Sequence, residues 1–161
     1  MLDTEIKINL FLMQYCRMLM ADIADERMAE EPLPGVNHPA WILGHLAFSA
    51  DLAVTRAGGE AVLPPEWKTL FGPGTKHAAS RDAYPSREEL FRTVEEGFER
   101  ARQQAAAATP EQLAQPTANP RMKDALPTAR ESVAFLLTAH LAGHLGQLSA
   151  WRRMIGLPPL F

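Results

Sequence analysis

The stretch from Thr128 to Gly156 constrains the chain more than any other. Thr128-Ala129-Arg130-Glu131 has the form of a capping box, a helix start in which the first and fourth residues satisfy each other's backbone groups. Gly156 can supply a left-handed C-terminal residue, and Pro158-Pro159 forbid continuation, so a helix is predicted from 128 to about 155. Between Val133 and Leu148 it carries no Asp, Glu, Lys or Arg. A helix without a charged face is expected to be enclosed by others, which makes this the most buried helix of the predicted fold. Ala139, Gly143, Gly146 and Ala150 add a stripe of small residues where a neighbouring helix is expected to approach closely.

The remaining chain supplies the neighbours. Residues 3 to about 29 read as a first helix, with Leu12, Tyr15, Leu19 and Ile23 at helical spacing and Pro32-Leu33-Pro34-Gly35 as its end. Pro39 opens a second helix, capped by Asn37 or His38, that stops at Gly58-Gly59. Ser86-Arg87-Glu88-Glu89 opens a third, whose buried stripe is Leu90, Val94, Phe98, Ala101 and Ala105. Thr109-Pro110-Glu111-Gln112 has the form of a cap on a one-turn helix closed by Pro116. No segment alternates as a strand does. The long connection from Gly58 to Pro85 then reads as a crossover between parallel helices. The predicted fold is all-α: one domain over residues 1–161, a four-helix bundle with a long crossover loop between helices 2 and 3.

Composition narrows the function classes. The net charge of −3 is spread thinly and contains no basic block, so nucleic acid is not an expected partner. No apolar run has the length of a membrane span, and the expected compartment is the cytoplasm. Cys16 is the one cysteine, which removes disulfides and thiolate-only metal cages; it reads as a small buried residue.

His140 and His144 are four residues apart. On a helix both rings share one face, roughly 6 Å apart along the axis, and both can reach one cation. His45 is the candidate third ligand, because it shares a face with Trp41, Phe48 and Leu52 and points inward from the second helix. A buried histidine needs a partner at each ring nitrogen, and a carbonyl or a water serves as well as a metal. His38 is two turns from His45, roughly 10 Å away, and is assigned to capping or the pocket rim. His77 reads as an exposed loop residue. Ser49 and Gln147 are candidates for the pocket lining, or for plain packing and supporting hydrogen bonds. Arg56, Arg130, Arg152 and Arg153 read as solvated rather than as anion-binding. Carboxylate-bridged di-iron chemistry lacks its Glu-x-x-His pairs on helices 2 and 4, and His140-Leu141-Ala142-Gly143-His144 lacks the glutamate of a zinc protease.

Asn37-His38-Pro39-Ala40-Trp41-Ile42-Leu43-Gly44-His45-Leu46, Leu70-Phe71-Gly72-Pro73-Gly74, Tyr84-Pro85-Ser86-Arg87-Glu88-Glu89-Leu90 and His140-Leu141-Ala142-Gly143-His144-Leu145-Gly146-Gln147-Leu148 together resemble the DinB/YfiT-like superfamily. The resemblance implies a four-helix bundle that binds one divalent ion, zinc or nickel, through His45, His140 and His144. It also implies thiol S-transferase chemistry on a small-molecule substrate, with a low-molecular-weight thiol such as bacillithiol, mycothiol or glutathione activated by the metal. Two other functions fit the same three histidines: a hydrolase using metal-bound water, and a non-catalytic metal-binding, ligand-binding or stress-response module. Apolar surface on helix 1 or 3 would suit a homodimer, an arrangement common among similar proteins.

Overall fold

A computed structural model describes residues 1–78, 80–117 and 122–160. Four long helical stretches form the bundle: α1 (Asp3–Met20), α2 (Pro39–Arg56), α4 (Arg87–Ala107), and a fourth composed of α6 (Ala129–Phe135), a π-helical turn (Leu136–His140) and α7 (Leu141–Met154). Two short helices lie between them, α3 (Pro65–Phe71) and α5 (Pro110–Leu113). α2 packs along α4 and against the fourth stretch, and α1 closes the ring by touching α4 and α7. Among the described residues the only β-like feature is an isolated bridge between Pro116 and Thr128. No helix among them is long and apolar enough to cross a membrane.

Three predicted elements form as their residues dictate. His38 caps α2, its Nδ1 accepting the Trp41 N–H at 3.2 Å, while Pro39 occupies the first turn. The Ser86 hydroxyl accepts the Glu89 N–H at 3.1 Å to start α4, whose buried residues are Leu90, Val94, Phe98, Ala101 and Ala105. Thr109 and Gln112 exchange both bonds of a capping box around α5. Gly156, at φ 83°, ends the fourth stretch.

Several expectations are corrected. The first helix stops at Met20 rather than near 29. The Arg152 guanidinium takes Asp22 in a two-pronged ion pair and donates to the Leu19 carbonyl at 2.7 Å. Asp25 accepts from Arg81 and from the Arg87 backbone N–H at 2.6 Å. These partners draw residues 21–28 off the helical path and let Ile23 and Met28 enter the core. Local propensity yields there to tertiary polar contacts. Arg152 is accordingly 1 % exposed, an internal tie rather than a solvated side chain.

The most enclosed helix is α2, in which only Phe48, Leu52, Thr55 and Arg56 escape burial. In the fourth stretch Ala139, Ala142, Gly143, Gly146, Gln147 and Ala150 are exposed. A Cβ added at Gly143 or Gly146 would meet nothing within 4 Å, so no helix of the bundle approaches the small-residue stripe. Alanine and glycine carry so little apolar area that leaving them in water costs little, and the absence of charge did not mean burial.

The crossover between α2 and α4 also contains α3. Its start signal, Pro64-Pro65-Glu66, is present in the sequence, but the helix spans only 7 residues, too short for the single Trp67–Phe71 pair to stand out as a periodic stripe. Its role is to bury Trp67 and Phe71 against α2.

Candidate metal centre

His45 is held from both sides by its own half of the bundle. Its Nδ1 lies 2.7 Å from the Phe71 carbonyl, which can only accept, so Nδ1 carries the proton and the Nε2 lone pair is free. Phe71 reaches that position because Gly44 has no side chain; a Cβ there would fall 2.2 Å from the Phe71 ring. On the other side the Trp41 indole stacks on the imidazole at 4.7 Å with an interplanar angle of 8°. The indole N–H donates to Thr75 Oγ1 at 2.8 Å, fixing that wall in turn.

His140 ends the π-helical turn and His144 lies in the first turn of α7. A π turn inserts one extra residue and leaves carbonyls without their usual partners. The fully buried Asn9 of α1 donates its amide to the Leu137 carbonyl at 2.8 Å, and Arg102 of α4 donates to Asn9 Oδ1 at 2.7 Å. Thr138 Oγ1 bonds the Ala134 carbonyl at 2.6 Å. The turn that delivers His140 is thus braced from two neighbouring helices.

The three rings converge. Ring centroids lie 4.6 Å apart for His140–His144, 4.7 Å for His45–His144 and 5.1 Å for His45–His140. One ligand nitrogen from each residue lies within 4.8 Å of the others. His45 Nε2 and His140 Nε2 are 3.2 Å apart, close to the roughly 3.3 Å that separates two nitrogens bound about 2 Å from a tetrahedral ion. His144 donates Nδ1–H to Gln147 Oε1 at 3.0 Å, which frees its Nε2. His140 Nδ1 is buried with no hydrogen-bond partner. The donor set therefore fits a divalent ion: two of the three imidazoles have the remote N–H engaged by an oxygen and the near nitrogen free, the usual arrangement of metal-bound histidine.

Electrostatics agree with that fit. Burial, then the neighbouring imidazoles, pushes His140 down to about 3. Burial and His45 push His144 down to about 4. Burial lowers His45 despite its bond to the Phe71 carbonyl. All three rings are neutral at pH 7, the form that ligates. Carbonyl, amide and aromatic groups surround them, and no carboxylate contacts the rings among the described residues.

The other candidate residues are placed as follows. His38 caps α2 as expected, fully buried, its ring 5.0 Å from Tyr84 and its basicity pushed down to about 4 by burial. Ser49 donates to the carbonyl of His45 within its own helix at 2.7 Å, so it is packing rather than pocket lining. Cys16 is fully buried and its thiol is pushed up to about 12 by desolvation, an inert core residue. His77 is not an exposed loop residue: its side chain is 12 % exposed and both ring nitrogens are hydrogen bonded. Asn9 went unrecognised, although a polar residue one turn before Leu12 on the buried face of α1 was a readable signal. The Phe71 carbonyl left no signal of its own beyond Gly44.

A comparison with curated proteins returned no match. The family model of the DinB superfamily matches residues 13–148, a span that contains all three histidines, the whole of α2 and α4, the end of α1 and most of the fourth stretch. The chain belongs to the DinB superfamily.

Proposed function

We propose that the protein is a divalent-metal-dependent enzyme of the thiol S-transferase type, with His45, His140 and His144 as the metal ligands and zinc or nickel as the ion. The observation that carries the proposal is the convergence of three neutral imidazoles with no fourth protein ligand among the described residues. Three protein ligands and one open position are the pattern of catalytic rather than structural sites. A bound divalent ion supplies Lewis acidity, which converts a coordinated thiol to the thiolate, the nucleophilic form, at neutral pH.

The chain's own residues suit that task. The Phe71 carbonyl and Gln147 amide hold His45 and His144 by their remote nitrogens. Trp41, stacked on His45, shields one side of the cluster from water. The nucleophilic thiol has to come from solution, because Cys16 is sealed in the core.

The test loads the protein with zinc or nickel and presents an electrophile with and without glutathione, bacillithiol or mycothiol. Product formation that requires the thiol and is lost in His140→Ala supports the proposal. Conversion of the electrophile without thiol points to a hydrolase. Metal binding with no turnover across the panel points to a binding module.

A further inference from the structure

The four residues of α2 that escape burial lie on one line. Phe48, Leu52, Thr55 and Arg56 fall within about 100° of arc and continue the face that carries His45. The fourth stretch faces this line and runs antiparallel to it. His45 meets His140 at one end, while at the other Leu52 and Arg56 stand with Ser132 and Phe135 around a cavity. Arg56 is about three turns beyond His45, roughly 16 Å along the axis. Helical side chains lean toward the N-terminus of their helix, which tips Arg56 back toward the histidines.

The cavity is partly enclosed, about 50 Å³ in volume, and lined by Leu52, Arg56, Thr117, Ser132, Phe135 and Leu136 among others. A space of that size takes a few non-hydrogen atoms, a carboxylate but not a whole substrate. Its walls are apolar apart from the Arg56 guanidinium and the hydroxyls of Thr117 and Ser132, and none of the residues lining it is acidic. Arg56 Nε and Thr117 Oγ1 are both buried with no hydrogen-bond partner among the described residues. Arg56, which reads as solvated in the sequence, is in fact half-buried. A cation set among apolar walls is costly unless an acceptor meets it, and the planar fork of a guanidinium matches a carboxylate. Phe135 joins this cavity to the metal centre, because it lines the cavity and its ring stands edge-on to His140 at 5.6 Å.

We propose, resting on the metal-dependent function proposed above, that this line is a substrate subsite. Arg56 and Thr117 receive a carboxylate, and the apolar body attached to it lies along Leu52 and Phe135 with its far end at the three histidines. The substrate class is an amphipathic carboxylic acid with an unbranched or aromatic body. Its reacting atom stands roughly 10 Å from the carboxylate, the axial separation less the lean of the arginine. The carboxylate belongs to the thiol or to the electrophile, and Arg56 reads the same chemistry in either.

The probe is octanoate, with octanol as its uncharged match and acetate as the carboxylate without a body. Binding to the metal-free protein is followed by NMR at the Arg56 Nε–H and at the His140 ring. Octanoate is expected to shift both signals, and acetate that of Arg56 alone. Octanoate should bind about 10- to 100-fold more tightly than octanol. Arg56→Met is expected to remove that preference while still binding octanol, which also shows the variant to be folded. Thr117→Val should weaken octanoate by a smaller factor, about 2- to 10-fold. Zinc-loaded protein tells whose carboxylate is bound. Mercaptooctanoate at least about 10-fold tighter than octanoate assigns it to the thiol. Mercaptooctanoate no tighter than octanoate, with octanoate and mercaptoethanol binding together, assigns it to the electrophile. Octanoate no tighter than octanol, or a preference that survives Arg56→Met, would overturn the subsite. So would an octanoate shift at Arg56 with none at His140, which marks a surface anion contact unconnected to the centre. A parent that takes up no zinc would overturn the metal centre instead, and the metal-free measurements would still decide the subsite.

Discussion

The two walls of the three-histidine cluster hold the same kind of side chain by different means. On the α2 wall, His45 sits in the most enclosed helix, bonded to a backbone carbonyl and stacked on Trp41. On the opposite wall, His140 and His144 project from a helix whose outer face is exposed alanine and glycine. That wall depends on side-chain amides: Asn9 bracing the π turn and Gln147 holding His144. His45 is positioned by close packing and a backbone carbonyl, His140 by a polar tie from α1 to its π turn, and His144 by a side-chain amide on its own helix. Packing resists displacement in every direction because any shift opens a void or a clash. A polar tie fixes orientation and tautomer, but fails as a unit when one partner is lost.

The largest expected effect is on the packed wall. Gly44→Ala sets a methyl 2.2 Å from the Phe71 ring, which must move and carry its carbonyl away from His45. Overpacking of this kind costs about 1–3 kcal/mol, and metal affinity is expected to fall with it; urea denaturation and zinc titration measure the two. Unchanged stability and affinity would show that the α2 wall is more yielding than described.

On the polar wall, Asn9→Leu keeps the volume but strands the Leu137 carbonyl and one Arg102 contact. A loss of about 1–3 kcal/mol is expected, together with weaker zinc binding although Asn9 touches none of the histidines. Loss of stability with unaltered affinity would separate the π turn from the metal centre.

Acid sharpens the contrast through His38, which is fully buried, lies outside the cluster and is pushed down to about 4. A base whose folded value lies below its unfolded value near 6.5 takes up its proton more readily when unfolded. Its contribution is complete above pH 6.5 and is lost as pH falls toward 4. His38→Asn retains a cap acceptor and is expected to flatten the acid limb of metal-free stability by up to about 1.4 kcal/mol per pH unit across that window. An acid limb identical to the parent's would remove His38 as its source.

The smallest effect concerns the exposed face of α7. Gly146→Ala meets nothing within 4 Å and is expected to stabilise by about 0.5–1 kcal/mol, with zinc affinity unchanged. Destabilisation, read by thermal unfolding, would show that this face is covered.

The legibility of the chain divides along the same line. Leu90, Val94, Phe98, Ala101 and Ala105 bury the face their spacing predicts, and His38 caps α2 as its proline neighbour requires. Both follow from local rules. His45, His140 and His144 were legible because helical spacing and an inward apolar row are local too, and the structure brings them together. The end of α1, the π turn and the position of His77 were not, since each is decided by a partner far away in sequence: Arg152 for Asp22, Asn9 for Leu137, Glu31 and Asn37 for His77. The fourth helix was misjudged for another reason. Uncharged and buried are different properties when the uncharged residues are alanine and glycine.

Metal content of the tag-free protein tests the central claim most directly. Mass spectrometry of the parent, His45→Ala and His140→Ala, each shown to be folded by circular dichroism, should give about one equivalent of divalent ion in the parent and none in either variant. A folded parent that holds no metal, even after reconstitution with zinc, nickel and manganese, would contradict the account and make the three histidines core residues.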